Sequence, residues 1–218
     1  MGQLSFFSAE ARQPCVADLA GLLCGPGRAV GFARGRAARI AVPLDERWRG
    51  SALVTALAER GVQGRVALVP PPEPEPVDAE EVVDVTEETE PVELEPPPDV
   101  WEVATPFRTD LTGLAAQWGE GGVKHVPPDF TLHGGVLRMW ALASGRWAES
   151  GYVLGLDPRA PDTHEPLQKA LASSGLPATL LKSGGPALRV VGRRRLERLA
   201  ELVGRAPRGV GERTWPAA

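Results

Sequence analysis

The chain has 218 residues, 43% of them hydrophobic, with 24 Lys and Arg against 28 Asp and Glu residues and a formal net charge of −4. This length and composition are enough to bury a hydrophobic core in one compact domain or in two small ones. They argue against a membrane-spanning protein, because no run of about eighteen apolar residues occurs. The N-terminus lacks the apolar core of a secretory signal, so we expect a cytoplasmic protein without membrane contact.

The first half of the chain predicts seven elements. In order, they are a helix over 16–23, a β-hairpin over 28–44 that turns near Gly35 and stops at Pro43, a helix from an Asp45 cap to Ala58, strands over 62–69 and 100–107, and a helix over 109–118. Glycine-containing turns at 25–27 and at Gly61 are predicted to end the first two helices.

The second half predicts the same order. It contains a helix over 132–143, a hairpin over 145–156, a helix from Asp162 or Thr163 to Ser174, strands over 178–182 and 187–191, and a helix over 193–205. Residues 55–62 (TALAERGV) also match residues 169–176 (KALASSGL) in apolar rhythm and terminating glycine. We therefore predict an α+β fold of two α-β-β-α-β-β-α repeats, residues 1–131 and 132–218.

Residues 70–99 are rich in proline and in acidic side chains: they contain nine prolines and twelve acidic residues but neither Lys nor Arg. The remaining residues hold 24 basic against 16 acidic side chains, an excess of eight positive charges. Such a proline-rich, self-repelling segment is predicted to be a disordered insertion at a hairpin tip, where long loops cost little. Two interpretations stay open: a solvated spacer, or a mimic of a phosphate backbone that screens a basic surface.

The start of the first helix carries a recognisable pattern. Leu19-Ala20-Gly21-Leu22-Leu23-Cys24-Gly25-Pro26-Gly27 matches the LAGLIDADG motif at L, A, G, L and the final G. With the repeated element order, it resembles the LAGLIDADG homing-endonuclease fold. The chain is also similar to the duplicated LAGLIDADG-like region of the WhiA family, bacterial transcriptional regulators, whose second opening helix resembles His133-Gly134-Gly135-Val136-Leu137. The resemblance implies a saddle of two pseudo-twofold related halves that binds double-stranded DNA, with Gly21, Gly134 and Gly135 at the seam between the motif helices.

The chain departs from this pattern in two places. A homing endonuclease needs an acidic residue at the foot of each motif helix to hold divalent ions, whereas the register of the motif puts Pro26 and approximately Met139 there. We therefore expect no catalytic residue, metal site, cofactor or small-molecule substrate. WhiA proteins also carry a C-terminal helix-turn-helix domain, which we expect this protein to lack.

Basic residues on the predicted hairpins and on the last helix are the candidate DNA contacts. They are Arg28, Arg34, Arg36, Arg39, Arg146, Lys182, Arg189, Arg193, Arg194 and Arg195. Each arginine or lysine that neutralises a phosphate releases a counterion and makes binding depend on salt. The alternative for these side chains is an ordinary solvated basic edge.

Other residues are predicted to be structural. We expect Trp48, Trp118 and Trp140 in the core and Trp215 as an anchor for the C-terminal tail. Cys15 and Cys24 are predicted to be buried free thiols, with a disulfide or a metal pair as the alternative. A protein–protein module that uses the acidic segment or the saddle surface to bind a regulatory partner stays open as an alternative function.

Overall fold

The computed structural model of the protein describes residues 7–69, 100–120, 122–149, 151–211 and 214–216. The predicted insertion at 70–99 lies outside the described residues. Within them are six α-helices: α1 (Ala20–Cys24), α2 (Trp48–Ala58), α3 (Thr112–Trp118), α4 (Gly134–Ser144), α5 (His164–Ser173) and α6 (Arg193–Val203). In that part of the chain, no helix is both long and apolar enough to cross a membrane.

The strands form two four-stranded antiparallel sheets and one short ribbon. The first sheet contains β1 (Arg28–Phe32), β2 (Ala37–Leu44), β3 (Arg65–Val69) and β4 (Val100–Ala104), in the order β1-β2-β4-β3. The ribbon pairs β5 (Gly119–Glu120) with β6 (Val123–Lys124). The second sheet contains β7 (Gly145–Ala148), β8 (Gly151–Gly155), β9 (Thr179–Leu181) and β10 (Ala187–Val190), in the order β7-β8-β10-β9. The predicted α+β class is confirmed.

The hairpin that carries the acidic insertion is present as predicted. β3 pairs with β4 along its whole length, and the last pair is Val69 opposite Val100. The two residues that flank the insertion are therefore neighbours at one end of the sheet.

The predicted start of the second helix is wrong, and the strands predicted over 62–69 and 100–107 are shorter, Arg65–Val69 and Val100–Ala104. α2 begins at Trp48 rather than after an Asp45 cap, because the Asp45 carboxylate instead accepts a hydrogen bond from Arg49 Nε at 2.6 Å. β2 ends at Leu44, the last residue of the predicted hairpin, and Pro43 lies inside the strand rather than at its end. The backbone groups of Ile40 bond to β4, and backbone direction alternates along a strand, so the backbone of Pro43 is turned toward β1. The pairing of β2 with β1 ends at Ala41, so the missing amide hydrogen of Pro43 costs no hydrogen bond of the sheet.

The centre of the molecule is a close contact between α1 and α4. A Cβ added at Gly21 would lie 2.0 Å from the Val136 carbonyl oxygen, and one added at Gly25 would lie 3.1 Å from Ser144 Oγ. These two contacts advance along both helices in the same direction, so α1 and α4 run side by side with their C-termini together. Gly21 lies at this seam as predicted.

Some of the predicted core placements need correction. Gly134 packs against the backbone of Phe7, Ala9 and Leu202, and Gly135 against the Asp18 carboxylate, so neither faces Gly21. Trp118 and Trp140 are buried as predicted, and Trp48 is half-buried. Cys24 is a buried free thiol, but Cys15 is exposed, at the position just before the 3₁₀ helix Val16–Leu19.

Candidate nucleic-acid interface

One face of each sheet packs on the helices and the other is turned away from them. Residues directly opposite each other on antiparallel strands point to the same face, so the strand register assigns every side chain to a face. Ala38, Ile40 and Val42 of β2 belong to the core cluster, and the intervening residues point away from it. By the same register, five arginines point away from the core and form what we call the arginine face: Arg28, Arg39, Arg65, Arg146 and Arg189.

The first sheet contributes three of these arginines. Arg28 lies opposite Ala41, which lies opposite Ala104, which in turn lies opposite Arg65, so Arg28 and Arg65 end one row across the sheet. Arg28 Nη2 donates to Glu102 Oε2 at 2.7 Å, which neutralises part of the charge. Arg39 lies in the next row, with its guanidinium 5.0 Å from the centre of the Phe107 ring.

The second sheet contributes a row that crosses all four of its strands. Arg146 of β7 lies opposite Val153, Val153 lies opposite Arg189 of β10, and Arg189 lies opposite Thr179 of β9. Val153 is buried between the two arginines but outside the core cluster. The structure thus brings Arg146 and Arg189 together as the hairpin pattern predicts.

Arg65 is a member of the arginine face that the sequence pattern did not indicate. It begins the edge strand β3 and its side chain is exposed. The alternation of residues 65–69 places Arg65, Ala67 and Val69 on one face, but only the pairing of Arg65 with Ala104 shows which face that is.

Six other predicted DNA contacts lie outside the strand faces. Arg34 and Arg36 lie in the β1–β2 turn, where Arg34 has a φ of 61° and Arg36 Nε donates to the Ala33 carbonyl at 3.1 Å. Lys182 follows the last residue of β9 and is exposed. The remaining three, Arg193, Arg194 and Arg195, form the first turn of α6. Their side chains are exposed, and the helix packs into the core through Leu199, Leu202 and Val203.

Cationic side chains hold the C-terminal ends of α1 and α4. Lys124 Nζ donates to the carbonyl oxygens of Gly25 and Gly27, both at 2.7 Å, and to Asp157 Oδ2 at 3.0 Å. Burial lowers the pKa of the Lys124 ammonium, and the nearby Asp157 carboxylate opposes that shift. At α4, the buried Arg49 donates from Nη1 to the Leu142 carbonyl and from Nη2 to the Gly145 carbonyl. A cation at a helix C-terminus satisfies carbonyls and complements the helix dipole.

These helix ends do not fit the divalent ions that the resemblance implies. Met139 lies in the middle of α4 and is fully buried, so its predicted position at the foot of the helix is wrong; Ser144 and Gly145 are there instead, followed by Arg146. Pro26 follows α1, and the neighbouring carboxylate, Asp157, is held by the Lys124 ammonium. A metal ion needs unpaired oxygen ligands at this place, whereas an ammonium group already occupies the carbonyls and the carboxylate.

A cavity of about 1050 Å³ joins the first sheet to this helix end. Its wall includes Arg28 and Glu102 of the sheet, Lys124 of the ribbon, and Asp157 and Arg159 of the loop that follows β8. The surface beside Arg28 is therefore concave and continues onto a loop that comes from the second sheet.

Two antiparallel four-stranded sheets around a close parallel pair of helices define the fold of the LAGLIDADG homing endonucleases. A solved structure with this fold is that of the homing endonuclease I-WcaI bound to its DNA recognition sequence. The similarity covers 93% of this chain and 83% of that chain, with a TM-score of 0.56 and 15% sequence identity. No family model matches the chain, and no curated protein matches it. At this identity the likeness shows a LAGLIDADG-like fold.

Proposed function

We propose that this chain is a non-catalytic, double-stranded DNA-binding protein, and that it acts in transcriptional regulation as the WhiA-like sequence pattern implies. The observation that supports the proposal best is the arginine face. The first sheet contributes Arg28, Arg39 and Arg65 to it, and the second sheet contributes Arg146 and Arg189. A homing endonuclease of the same fold has been solved with its DNA recognition sequence.

The position of the arginines agrees with contact to a duplex backbone. Gly25 at the end of α1 packs beside Ser144 at the end of α4, and Arg28 and Arg146 follow these two residues by three and two positions. The first arginine of each sheet therefore extends from the same end of the central helix pair. Two sheets that begin side by side and carry the same charge can follow one strand of phosphates across both halves.

The ends of the helices support binding without cleavage. Hydrolysis of a phosphodiester by this class of enzyme uses carboxylates to hold divalent ions at the feet of both motif helices. Pro26 and Arg146 follow the two helices here, and Lys124 donates to the carbonyls of Gly25 and Gly27. A fixed ammonium or guanidinium near a phosphate attracts it but activates no water.

The test is a fluorescence-anisotropy titration of a labelled duplex at several salt concentrations. A chain that neutralises five phosphates has a slope of log K against log salt of about −4.5, since each contact contributes about −0.9. The variant Arg65→Gln/Arg146→Gln removes one exposed arginine from each sheet. We expect it to reduce the magnitude of the slope by about 1.8. The duplex should stay intact in the presence of Mg²⁺.

The matched control removes the same charge from elsewhere. Lys169 lies on α5 and Arg208 in the C-terminal segment, and both are exposed and distant in sequence from the strand faces. Lys169→Gln/Arg208→Gln should keep the slope within about 0.5 of that of the unmodified chain. Equal losses in the two variants would show that net charge alone drives binding, and cleavage of the duplex would contradict the non-catalytic proposal.

A further inference from the structure

The arginine face carries an exposed aromatic pair, and we propose that it stacks on a nucleic-acid base that has left the duplex stack. The pair consists of Phe32 and Phe107, whose side chains are 58% and 42% exposed. The inference rests on the proposed DNA binding and adds a ligand class to it: an unpaired or unstacked base rather than the phosphate backbone.

The two rings form one platform beside an arginine. Their centroids lie 5.0 Å apart with an interplanar angle of 40°, and the guanidinium of Arg39 lies 5.0 Å from the Phe107 centroid. Phe32 lies opposite Ala37, two positions from the pair of Val30 with Arg39, so Phe32 and Arg39 share the arginine face. Arginine and aromatic rings together are the side chains on which proteins stack single bases.

An irregularity in the strand pairing brings Phe107 to this face. Ala104 lies opposite Ala41, and Arg108 lies opposite Ala38, so the three residues 105–107 face only the two residues 39 and 40. This is a β-bulge, and the extra residue redirects the following side chains. Without the bulge, Phe107 would take the place opposite Ala38 and point into the core. With it, Phe107 lies over Arg39.

Buried hydrogen bonds hold the bulge in place. Thr105 Oγ1 accepts from the Ile40 amide at 3.0 Å and donates to the Pro106 carbonyl at 3.1 Å, and the Thr105 amide donates to the Ile40 carbonyl at 2.9 Å. Thr105 is itself buried. The platform is therefore fixed by the sheet, and a base that binds to it need not order a mobile loop.

The chemistry around the rings favours a base over an apolar protein partner. Arg39 Nε is buried and has no hydrogen-bond partner within the described ranges. The turn that follows Phe32 adds two exposed cations, Arg34 and Arg36. The strands of the first sheet contribute one carboxylate to this face, Glu102, and it is held by Arg28. Exposed rings within a cationic surface attract a group that is itself flat and attached to an anionic backbone.

The experiment compares two DNA duplexes and uses one double variant. One duplex is fully paired, and the other has the same sequence with a single bulged 2-aminopurine, whose fluorescence falls when the base stacks on an aromatic ring. We expect the unmodified chain to bind the bulged duplex about tenfold more tightly and to quench its fluorescence. Phe32→Leu/Phe107→Leu keeps the apolar surface and removes the rings, so it should lose both the preference and the quenching while retaining affinity for the paired duplex.

The control and the outcomes separate this inference from the function on which it rests. Phe7→Leu removes another exposed ring, from the N-terminal segment, and should change neither quantity. If the chain binds neither duplex, the proposed DNA binding fails. If it binds both equally, or if the double variant keeps the preference, the stacking inference is overturned. Self-association of the unmodified chain that the double variant abolishes, without a preference for the bulged duplex, would assign the rings to a protein contact and also overturn it.

Discussion

At the residue scale, a buried ionic cluster ties the N-terminal segment to α2 and α4. The Asp18 carboxylate accepts from Arg60 Nε at 2.9 Å and from the Cys15 amide at 3.2 Å, and lies 3.9 Å from His133 Nδ1. Arg60 and Asp18 are both buried, so removal of either would leave an uncompensated charge inside the protein. His133 is the member of this cluster that can change its charge near neutral pH.

We expect the stability of the fold to fall as the pH decreases through about 6.5, and His133 to be one cause. Burial lowers the pKa of His133; the Asp18 carboxylate opposes this shift, and the Arg12 and Arg60 guanidinium groups add to it. The unfolded chain then binds a proton more readily than the folded chain, so acidification favours unfolding. Urea unfolding at pH 7.5 and 5.5 should show a smaller loss of stability in His133→Gln than in the unmodified chain.

The matched control for this experiment is His125→Gln, which also removes one imidazole but lies outside the Asp18 cluster. In this variant, the difference in the free energy of unfolding between pH 7.5 and pH 5.5 should equal that of the unmodified chain. If His133→Gln and the unmodified chain lose the same unfolding free energy between the two pH values, protonation of His133 does not destabilise the fold. That result would contradict burial of His133 as a cause of the acid sensitivity.

At the scale of the elements, the fold depends on how closely α1 approaches α4. In Gly21→Ala, the new methyl group would lie 2.0 Å from the Val136 carbonyl oxygen and 2.9 Å from Met139 Cβ, so the helices must separate. We expect a loss of about 1–3 kcal/mol or more in the free energy of unfolding, measured by urea denaturation, because overpacking a buried contact forces backbone shifts.

Gly113→Ala makes the same chemical change in α3, where an added Cβ meets nothing within 4 Å. Alanine is the better helix former, so this variant should be as stable as the unmodified chain or about 0.5–1 kcal/mol more stable. A Gly21→Ala chain of unchanged stability would mean that the two helices can repack without loss.

The elements themselves were accessible from the sequence because most of them follow a simple apolar period. The spacing of Leu22 and Leu23 and the alternation of residues 100–104 each predict the observed element type, whereas the start of the predicted helix, Val16–Leu19, is a 3₁₀ helix that leads into α1. The predicted Asp45 cap was wrong because the Asp45 carboxylate can accept either from helix amides or from the Arg49 side chain. The apolar period of the sequence does not show which of these donors it takes. Arg65 and Phe107 were missed because strand register places the first and a β-bulge places the second, and both arise from pairing between residues about 40 to 70 positions apart in sequence.

At the scale of the whole molecule, charge is divided between the acidic insertion and the rest of the chain. The insertion begins and ends at the pair of Val69 with Val100, which shares the face of Glu102 and Arg28. Val69, Val100 and Arg28 also line one cavity. A segment with twelve acidic residues is therefore attached to the sheet at the margin of the arginine face.

We expect replacement of residues 70–99 by an Asn-Gly turn to increase affinity for duplex DNA. The two strand ends are adjacent, so a two-residue turn can close the hairpin. The net charge changes from −4 to +8, because all twelve acidic residues of the segment are lost and no basic residue is. Anisotropy at low salt should show tighter binding, and the gain in affinity should shrink as salt screens the insertion.

The control is a second chain that keeps the 30-residue length of the insertion but has Gln and Asn in place of Glu and Asp. It should show the same gain in affinity if charge is the cause. Unchanged affinity in both chains would identify the insertion as a solvated spacer, whereas a gain in the short chain alone would show that it obstructs the DNA by its bulk.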